Sequence, residues 1–273
     1  MPEPVSGTIP VPERGRSLPM AFIAGTAVGV LGGLIGLGGA EFRLPLLIGV
    51  FGFIALQAVI VNKAMSLIVV MTALPARLIA VPFSDVATQW AVVFNLLAGS
   101  LVGAWVGATW ATKMRSTTLY KVLAGLLVVI AAALAASHLG PIEPLNLPPA
   151  IQLIAGVIAG VLIGIVAALM GVAGGELLIP TIVLLYGIDI KLAGSLSLAV
   201  SLPTMLVAFA RYSQNASFQI LRTNQTFVLT MTAGSILGTL IGGALLGVVP
   251  STFIIPALVL VLLLSAIKVW NHR

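Results

Sequence analysis

Cysteine is absent from the 273-residue chain, so disulfides, thiolate metal sites and thiol or persulfide chemistry are excluded. Histidine occurs only at His138 and His272, both at the ends of apolar segments. Two such residues do not make a haem or zinc site, and neither cofactor nor metal is expected. No nucleophile elbow or acid–base pair stands out, so an enzyme is not expected either. Charge is the scarcest property: charged residues are 7% of the chain, against about 25% in a soluble domain. A surface so poor in charge cannot face water, and the chain reads as an integral membrane protein. Aromatics are thin at 6%, and the apolar runs are too long for the alternation of an outer-membrane barrel. Residues 1–17 carry Arg14 and Arg16 but no short apolar region with a small-residue cleavage site, and they read as a cytoplasmic tail.

What the chain does have is apolar sequence: 60% hydrophobic residues and a mean hydropathy of +1.20. Apolar segments run over about 18–37, 42–56, 58–81, 90–112 and 118–138, then 151–170, 177–188, 192–212, 226–248 and 252–270. The Pro-rich stretch from Gly140 to Pro149 separates the two sets, which gives repeat 1 at 18–139, a connector at 140–150 and repeat 2 at 151–273. The halves align without a gap at a shift of 135. Gly25 matches Gly160, Gly52 matches Gly187, and Ser66-Leu67 matches Ser201-Leu202. Ala98-Gly99-Ser100 with Gly103 and Gly107 matches Ala233-Gly234-Ser235 with Gly238 and Gly242. Such agreement along a whole half is the mark of internal duplication.

The net charge of +6 does not call for a nucleic-acid partner, because the basic residues sit in loops and at segment ends, as the positive-inside rule requires. Five segments per half is an odd number, so the second half is expected upside down. The charges agree: Lys113 and Arg115 follow segment four, whereas the matching loop near Pro250 carries none. Asp85 follows segment three, whereas its counterpart carries Arg211 and Arg222. With the N-terminus inside, all Lys and Arg but Arg43, Arg77 and Lys191 fall near the cytoplasmic face. The expected fold is therefore all-α and polytopic, with two inverted-topology repeats. Each repeat holds a Gly-rich broken or re-entrant helix pair and three transmembrane helices.

The breaks themselves are Gly36-Leu37-Gly38-Gly39-Ala40-Glu41-Phe42-Arg43-Leu44-Pro45 and Gly171-Val172-Ala173-Gly174-Gly175-Glu176-Leu177-Leu178-Ile179-Pro180. Each sits beside an apolar segment too short to cross a bilayer comfortably. A helix that starts inside the membrane has unpaired N–H groups and a positive dipole end, which suit an anion. Gly36, Gly38, Gly39 and Ala40, against Gly171, Gly174 and Gly175, would form two cradles; close helix packing is the plainer reading of the same glycines. Glu41 and Glu176 would repel an anion when ionised, so they are candidates for proton coupling, with helix capping as the rival role. Arg43 could offset Glu41 or touch the ligand, and its counterpart is Leu178. Asn62 and Ser66, like Ser197 and Ser201, lie four apart and share a helix face; ordinary interhelical bonding competes with cavity lining. Lys63 either faces the cavity or snorkels to headgroups. The ridges at Gly99–Gly107 and Gly234–Gly242 read as packing, Trp90, Trp105, Trp110 and Trp270 as interface residues, and 118–138 and 252–270 as lipid-facing helices.

These residues resemble the TauE/SafE family, the sulfite exporter or toluene-sulfonate uptake permeases. The doubled Gly-rich break leading to a proline carries the likeness, with Gly-Ser-x-x-Gly-x-x-x-Gly at Gly99–Gly107 and Gly234–Gly242 and Asn62-Lys63 after an apolar turn. The resemblance runs from about residue 20 to the end, and it departs at Ala40, where a third glycine is commoner. It implies transport of small sulfur-containing anions such as sulfite, sulfonates or sulfoacetate across the cell inner membrane. A small anion, lipid and a coupling proton are then the expected partners, with the oligomeric state open. An anion channel and a membrane assembly factor with a protein partner are the competing readings.

Overall fold

The computed structural model describes residues 17–35, 38–80, 83–136, 144–245 and 251–272. Among these every regular element is a helix. The first half comprises α1 (Leu18–Ile35), α2 (Ala40–Gly49), α3 (Ala55–Ala80), a six-residue α4 (Phe83–Thr88), α5 (Trp90–Lys113) and α6 (Ser116–Ala136). The second comprises α7 (Pro149–Met170), α8 (Gly175–Tyr186) and α9 (Ile190–Tyr212). A 3-10 turn (Ala216–Gln219) then runs into α10 (Ile220–Thr223), followed by α11 (Gln225–Ala244) and α12 (Ser251–Trp270). Among the described residues six helices are long and apolar enough to cross a membrane: α3 over Ala55–Thr72, α5, α6, α7, α9 and α11. Shorter apolar stretches lie in α1, α8 and the Ile255–Trp270 part of α12. The chain is an all-α polytopic membrane protein.

Helices α2, α3, α5 and α6 start at Ala40, Ala55, Trp90 and Ser116, and α8, α9, α11 and α12 start at Gly175, Ile190, Gln225 and Ser251. Each start is displaced by the shift that aligns the two halves of the sequence. The short connecting helices α4 and α10 lie where the sequence reads as loop.

The glycine ridges join the halves. A Cβ on Gly25, Gly29 or Gly33 of α1 would strike Met231, Ser235 or Thr239 of α11, while one on Gly234, Gly238 or Gly242 would strike Phe22, Thr26 or Val30. The same arrangement recurs where Gly99, Gly103 and Gly107 of α5 meet Val157, Val161 and Ile165 of α7, and Gly160 and Gly164 meet Leu96 and Ser100. In each case a main-chain oxygen is struck, so these helices touch backbone to backbone, which only small residues permit. Residue numbers rise together along both contacts, and the paired helices are therefore parallel. Alternating directions through successive hairpins, with α1 and α2 counted separately, gives the same result. The packing role expected of the ridges holds, and each ridge finds its partner in the other half.

The last helix of each half departs from expectation. Helices α6 and α12 do not turn their whole surface to lipid; they pack on one another. Leu119, Leu123, Leu127, Leu258, Leu262 and Ala266 are buried, whereas Val128, Val129, Leu260 and Leu264 are exposed. Sequences apolar on every side give no stripe from which the buried face can be read. At the open end Lys121 lies 5.6 Å from the Trp270 ring centroid, and His272 stacks edge-on against Tyr120 at 5.1 Å.

The ridge contact makes a direct prediction. Gly103→Leu would drive a side chain into the Val161 carbonyl region and is expected to cost at least about 3 kcal/mol, the upper end for overpacking. Gly125, with nothing within 4 Å of an added Cβ, should accept Ala with a gain of up to about 1 kcal/mol. Detergent-solubilised unfolding midpoints check the pair.

Candidate functional site

Both breaks turn the chain back on the helix it has just left. Gly38 N–H reaches the Gly32 carbonyl at 3.4 Å, and Gly39, at φ 72°, lies so close to the Val28 carbonyl that a side chain could not fit. In the second half Gly174, at φ 86°, lies against Ala167 and Ile163 of α7. Positive φ and the lack of room make glycine obligatory at these two caps. The pairs α1–α2 and α7–α8 are therefore hairpins with short return arms. Helix α2 has ten residues and rises ~15 Å, about half of a ~30 Å hydrocarbon core, which sets Ala40 half a membrane's depth from Gly49. Gly36 lies outside the described residues.

Helix α3 ties the two hairpins together. Asn62 Nδ2 donates to the Ala40 carbonyl at 3.0 Å and to the Met170 carbonyl at 3.1 Å, one acceptor from each break. Next to it, Lys63 Nζ donates to the carbonyls of Ala167 at 2.8 Å and Val172 at 2.6 Å. Tyr212 of α9 donates to the Ala168 carbonyl at 2.9 Å. Helix α7 ends in a Schellman turn, with Gly171 N–H on the Ala168 carbonyl and Val172 N–H on that of Ala167. A Cβ on Gly171 would strike the Val59 carbonyl of α3. The negative end of α7 thus rests on an ammonium, an amide and a phenol, the groups its spare carbonyls require.

At the starts of α2 and α8 the two acids meet. The Glu41 and Glu176 side chains lie within hydrogen-bonding reach of each other, and each also approaches its own backbone N–H. Glu41 is 1% exposed, and the carboxyl oxygens of both residues are covered. With both acids written as carboxylates no oxygen finds a donor in good geometry; the contact becomes a hydrogen bond when one of the two holds a proton. Pro45 and Pro180, inside α2 and α8, cannot donate to the carbonyls of Glu41 and Glu176 four residues earlier.

The cations balance these acids. Arg43 is 0% exposed, it interacts electrostatically with Glu41, and none of its three guanidinium nitrogens has an acceptor. Lys63 stands in the same relation to Glu176. Leu178, at the matching place in α8, is buried and carries no charge, so the site is one-sided. The Ser66 hydroxyl and Asn62 Oδ1 are also buried without partners.

The residues singled out in the sequence divide into three groups. Gly38, Gly39, Ala40, Glu41, Asn62, Lys63, Gly171 and Glu176 are brought together, with Arg43 beside Glu41 and Gly174 and Gly175 at the start of α8. Ser197 and Ser201 are buried on α9, but Ser197 Oγ donates to the Gly194 carbonyl of its own helix at 2.8 Å and reaches across to neither break. At the helix starts the N–H groups of Phe42 and Arg43 bond to the Gly39 carbonyl, and those of Leu177 and Leu178 to the Gly174 carbonyl. Lys63 does not snorkel; its hydrogen bonds go to Ala167 of α7 and to Val172 in the break just beyond it. The Arg77 side chain, placed away from the cytoplasmic face by the charge pattern, lies outside the described residues. Arg211 lies 5.7 Å from the Trp105 ring centroid and donates to Thr109 Oγ1 at 2.8 Å. Tyr212 and the Ser100–Thr204 hydroxyl pair, 2.7 Å apart, escaped sequence reasoning. Nothing in a single apolar segment says which Tyr or Thr will find a partner on another helix.

Many spans packed around two hairpins with short return arms, with ionisable groups buried beside them, fit a membrane transporter. The chain belongs to the sulfite exporter TauE/SafE family, whose model matches residues 20–269. Comparison with curated proteins and with solved structures gives no match.

Lys63→Met strips the Val172 carbonyl of its donor and is expected to destabilise the folded protein by about 1–3 kcal/mol. Lys191→Met, on an exposed residue, should leave stability unchanged. Thermal unfolding in detergent decides.

Proposed function

We propose that the chain is a secondary permease for a small sulfur-containing anion such as a sulfonate, sulfoacetate or sulfite. It works by alternating access in the cell inner membrane, with its N-terminus in the cytoplasm. The observation that carries this reading is the Arg43 guanidinium, fully buried with no acceptor. Even with Glu41 nearby, a buried guanidinium that finds no hydrogen-bond acceptor is costly, and an oxyanion offering two oxygens to its fork of donors would offset that cost.

The anion sits against Arg43 and the Ser66 hydroxyl. The glycine backbones of the two breaks (Gly38 and Gly39; Gly171, Gly174 and Gly175) and Ala40 shape the cavity, and Ser197 and Ser201 form its far wall. Asn62 and Lys63 position the hairpins around the ligand. Glu41 and Glu176 carry the coupling ion, a proton. Access alternates as the α1–α11 pair and the α5–α7 pair, each locked by its glycine ridge, rock about the site. The parallel register of both ridges supports halves of opposite orientation, because α1 and α7 then enter the membrane from opposite faces.

A thermal-shift screen of the purified protein against sulfite, sulfate, C2 and C3 sulfonates and carboxylates tests the reading. A substrate at a hundred times its Kd should stabilise the protein by about 2.7 kcal/mol. Arg43→Leu, which copies the second half, should remove that shift. A screen in which no anion raises the midpoint would overturn the assignment, as would unitary currents in a planar bilayer.

A further inference from the structure

The two halves treat one matched serine in opposite ways. In the second half of the bundle Ser100 of α5 lies 2.7 Å from Thr204 of α9, hydroxyl to hydroxyl, and Thr204 also donates to the Val200 carbonyl. The shift that aligns the halves carries Ser100 to Ser235 of α11 and Thr204 back to Val69 of α3. The packing carries over too. A Cβ on Gly164 would strike the Ser100 carbonyl, and one on its counterpart Gly29 would strike the Ser235 carbonyl. Gly160 and Gly25 repeat the relation with the carbonyls of Leu96 and Met231. With both ridges in one register, and α11 packed on α3 as α5 is on α9, Ser235 is turned toward α3. There it meets a valine, which can neither donate nor accept. Its hydroxyl is fully buried and has no partner, a costly arrangement that calls for a reason.

Val69 borders the first break. A Cβ on Gly32 or Gly39 would strike backbone, whereas one on Gly38 would meet only the Val69 side chain, at 3.7 Å. Gly38 thus has room beside it that its neighbours lack. Ser66 shares a face of α3 with Val69, three residues on, and with Asn62, four residues back. Asn62 bonds the Ala40 carbonyl, so the Ser66 hydroxyl, also buried without a partner, looks onto the same break. Helical side chains lean toward the N-terminus of their helix, which brings the Arg43 stem back along α2 toward Ala40. We propose that Ser235 is a binding residue of the anion site and sets its preference for the acid group. Its hydroxyl donates to the third oxygen of a sulfonate or sulfite whose other two are held by the Arg43 fork. A carboxylate has only two oxygens, both taken by the fork, and leaves Ser235 unpaired. The proposal rests on the permease reading above and deepens it, since it names the residue that tells sulfur oxyanions from carboxylates. The second half offers no such hydroxyl, because Ser100 is committed to Thr204.

The test uses the full-length protein in detergent, titrated calorimetrically with ethanesulfonate, sulfite and propanoate, with the ligand-free unfolding midpoint as a second readout. Wild-type protein should bind the two sulfur anions more tightly than propanoate. Ser235→Ala should raise the ligand-free midpoint, because it removes a buried group without a partner. It should also weaken ethanesulfonate and sulfite about tenfold, the loss of one hydrogen bond to a charged group, and leave propanoate where it was. Val69→Thr gives Ser235 the partner that Ser100 has, and should likewise raise the midpoint and weaken the sulfur anions by occupying the hydroxyl. Ser100→Ala, at the matching place, should lower the midpoint and leave all three affinities unchanged. A purely structural serine would move stability without moving selectivity. Ethanesulfonate binding unchanged in both Ser235→Ala and Val69→Thr would overturn the proposal, as would propanoate binding the wild type as tightly as ethanesulfonate or weakening equally in Ser235→Ala. A lowered ligand-free midpoint in Ser235→Ala would overturn it too, by showing a hydroxyl turned onto a carbonyl of its own helix. If wild-type protein binds none of the three anions, the permease reading falls and this inference with it. If Arg43→Leu abolishes binding while Ser235→Ala leaves it unchanged, this inference alone falls. Size-exclusion profiles matching the wild type certify that each variant is folded.

Discussion

One side-chain amide holds the centre of this molecule together. Asn62 donates to a carbonyl of the first break and to a carbonyl of the second. Its neighbour Lys63 closes the end of α7. In lipid there is no water to take over these carbonyls, and each one left bare inside hydrocarbon costs several kcal/mol. The packing of both breaks depends on the donors that α3 presents to them. The facing carboxyls and the unpartnered guanidinium are set around the frame that α3 provides.

The frame is not symmetric, although the helices are. Every long helix after the first break has a counterpart at a constant shift, yet Asn62 is answered by Ser197, Lys63 by Leu198 and Arg43 by Leu178. Ser197 is too short to cross to a hairpin and bonds within α9. The first half thus supplies the cations and the tie, while the second supplies an acid and the carbonyl-rich helix end. The helix starts repeat between the halves, but the basic side chains do not.

Much of this was legible in the chain. The doubled glycine break, the undersized segments beside it and the lone acids in apolar surroundings pointed to where ionisable side chains lie buried, because each is costly in lipid and needs a reason. The residues that converge are largely those picked from the pattern. Partners were not legible. Glycine spacing announces close contact but not with which helix, and α6 and α12, apolar all round, gave no hint of their buried faces. The role of Lys63 was open for a related reason: an ammonium near a membrane edge reads the same whether its acceptors are headgroups or the end of another helix. The destination of a hydrogen bond across helices far apart in sequence is a property of the packed fold.

The crossed ridges bear on how the protein is made. The glycine face of α1 fits only α11, and that of α5 fits only α7. During synthesis the first helix enters the bilayer with its narrow face uncovered and stays so until almost the whole chain has emerged. Lipid, or the insertion machinery, must cover that groove in the meantime. A polypeptide cut at the connector would yield two pieces, each with one ridge lacking its mate, which can become a transporter only by finding each other in the membrane.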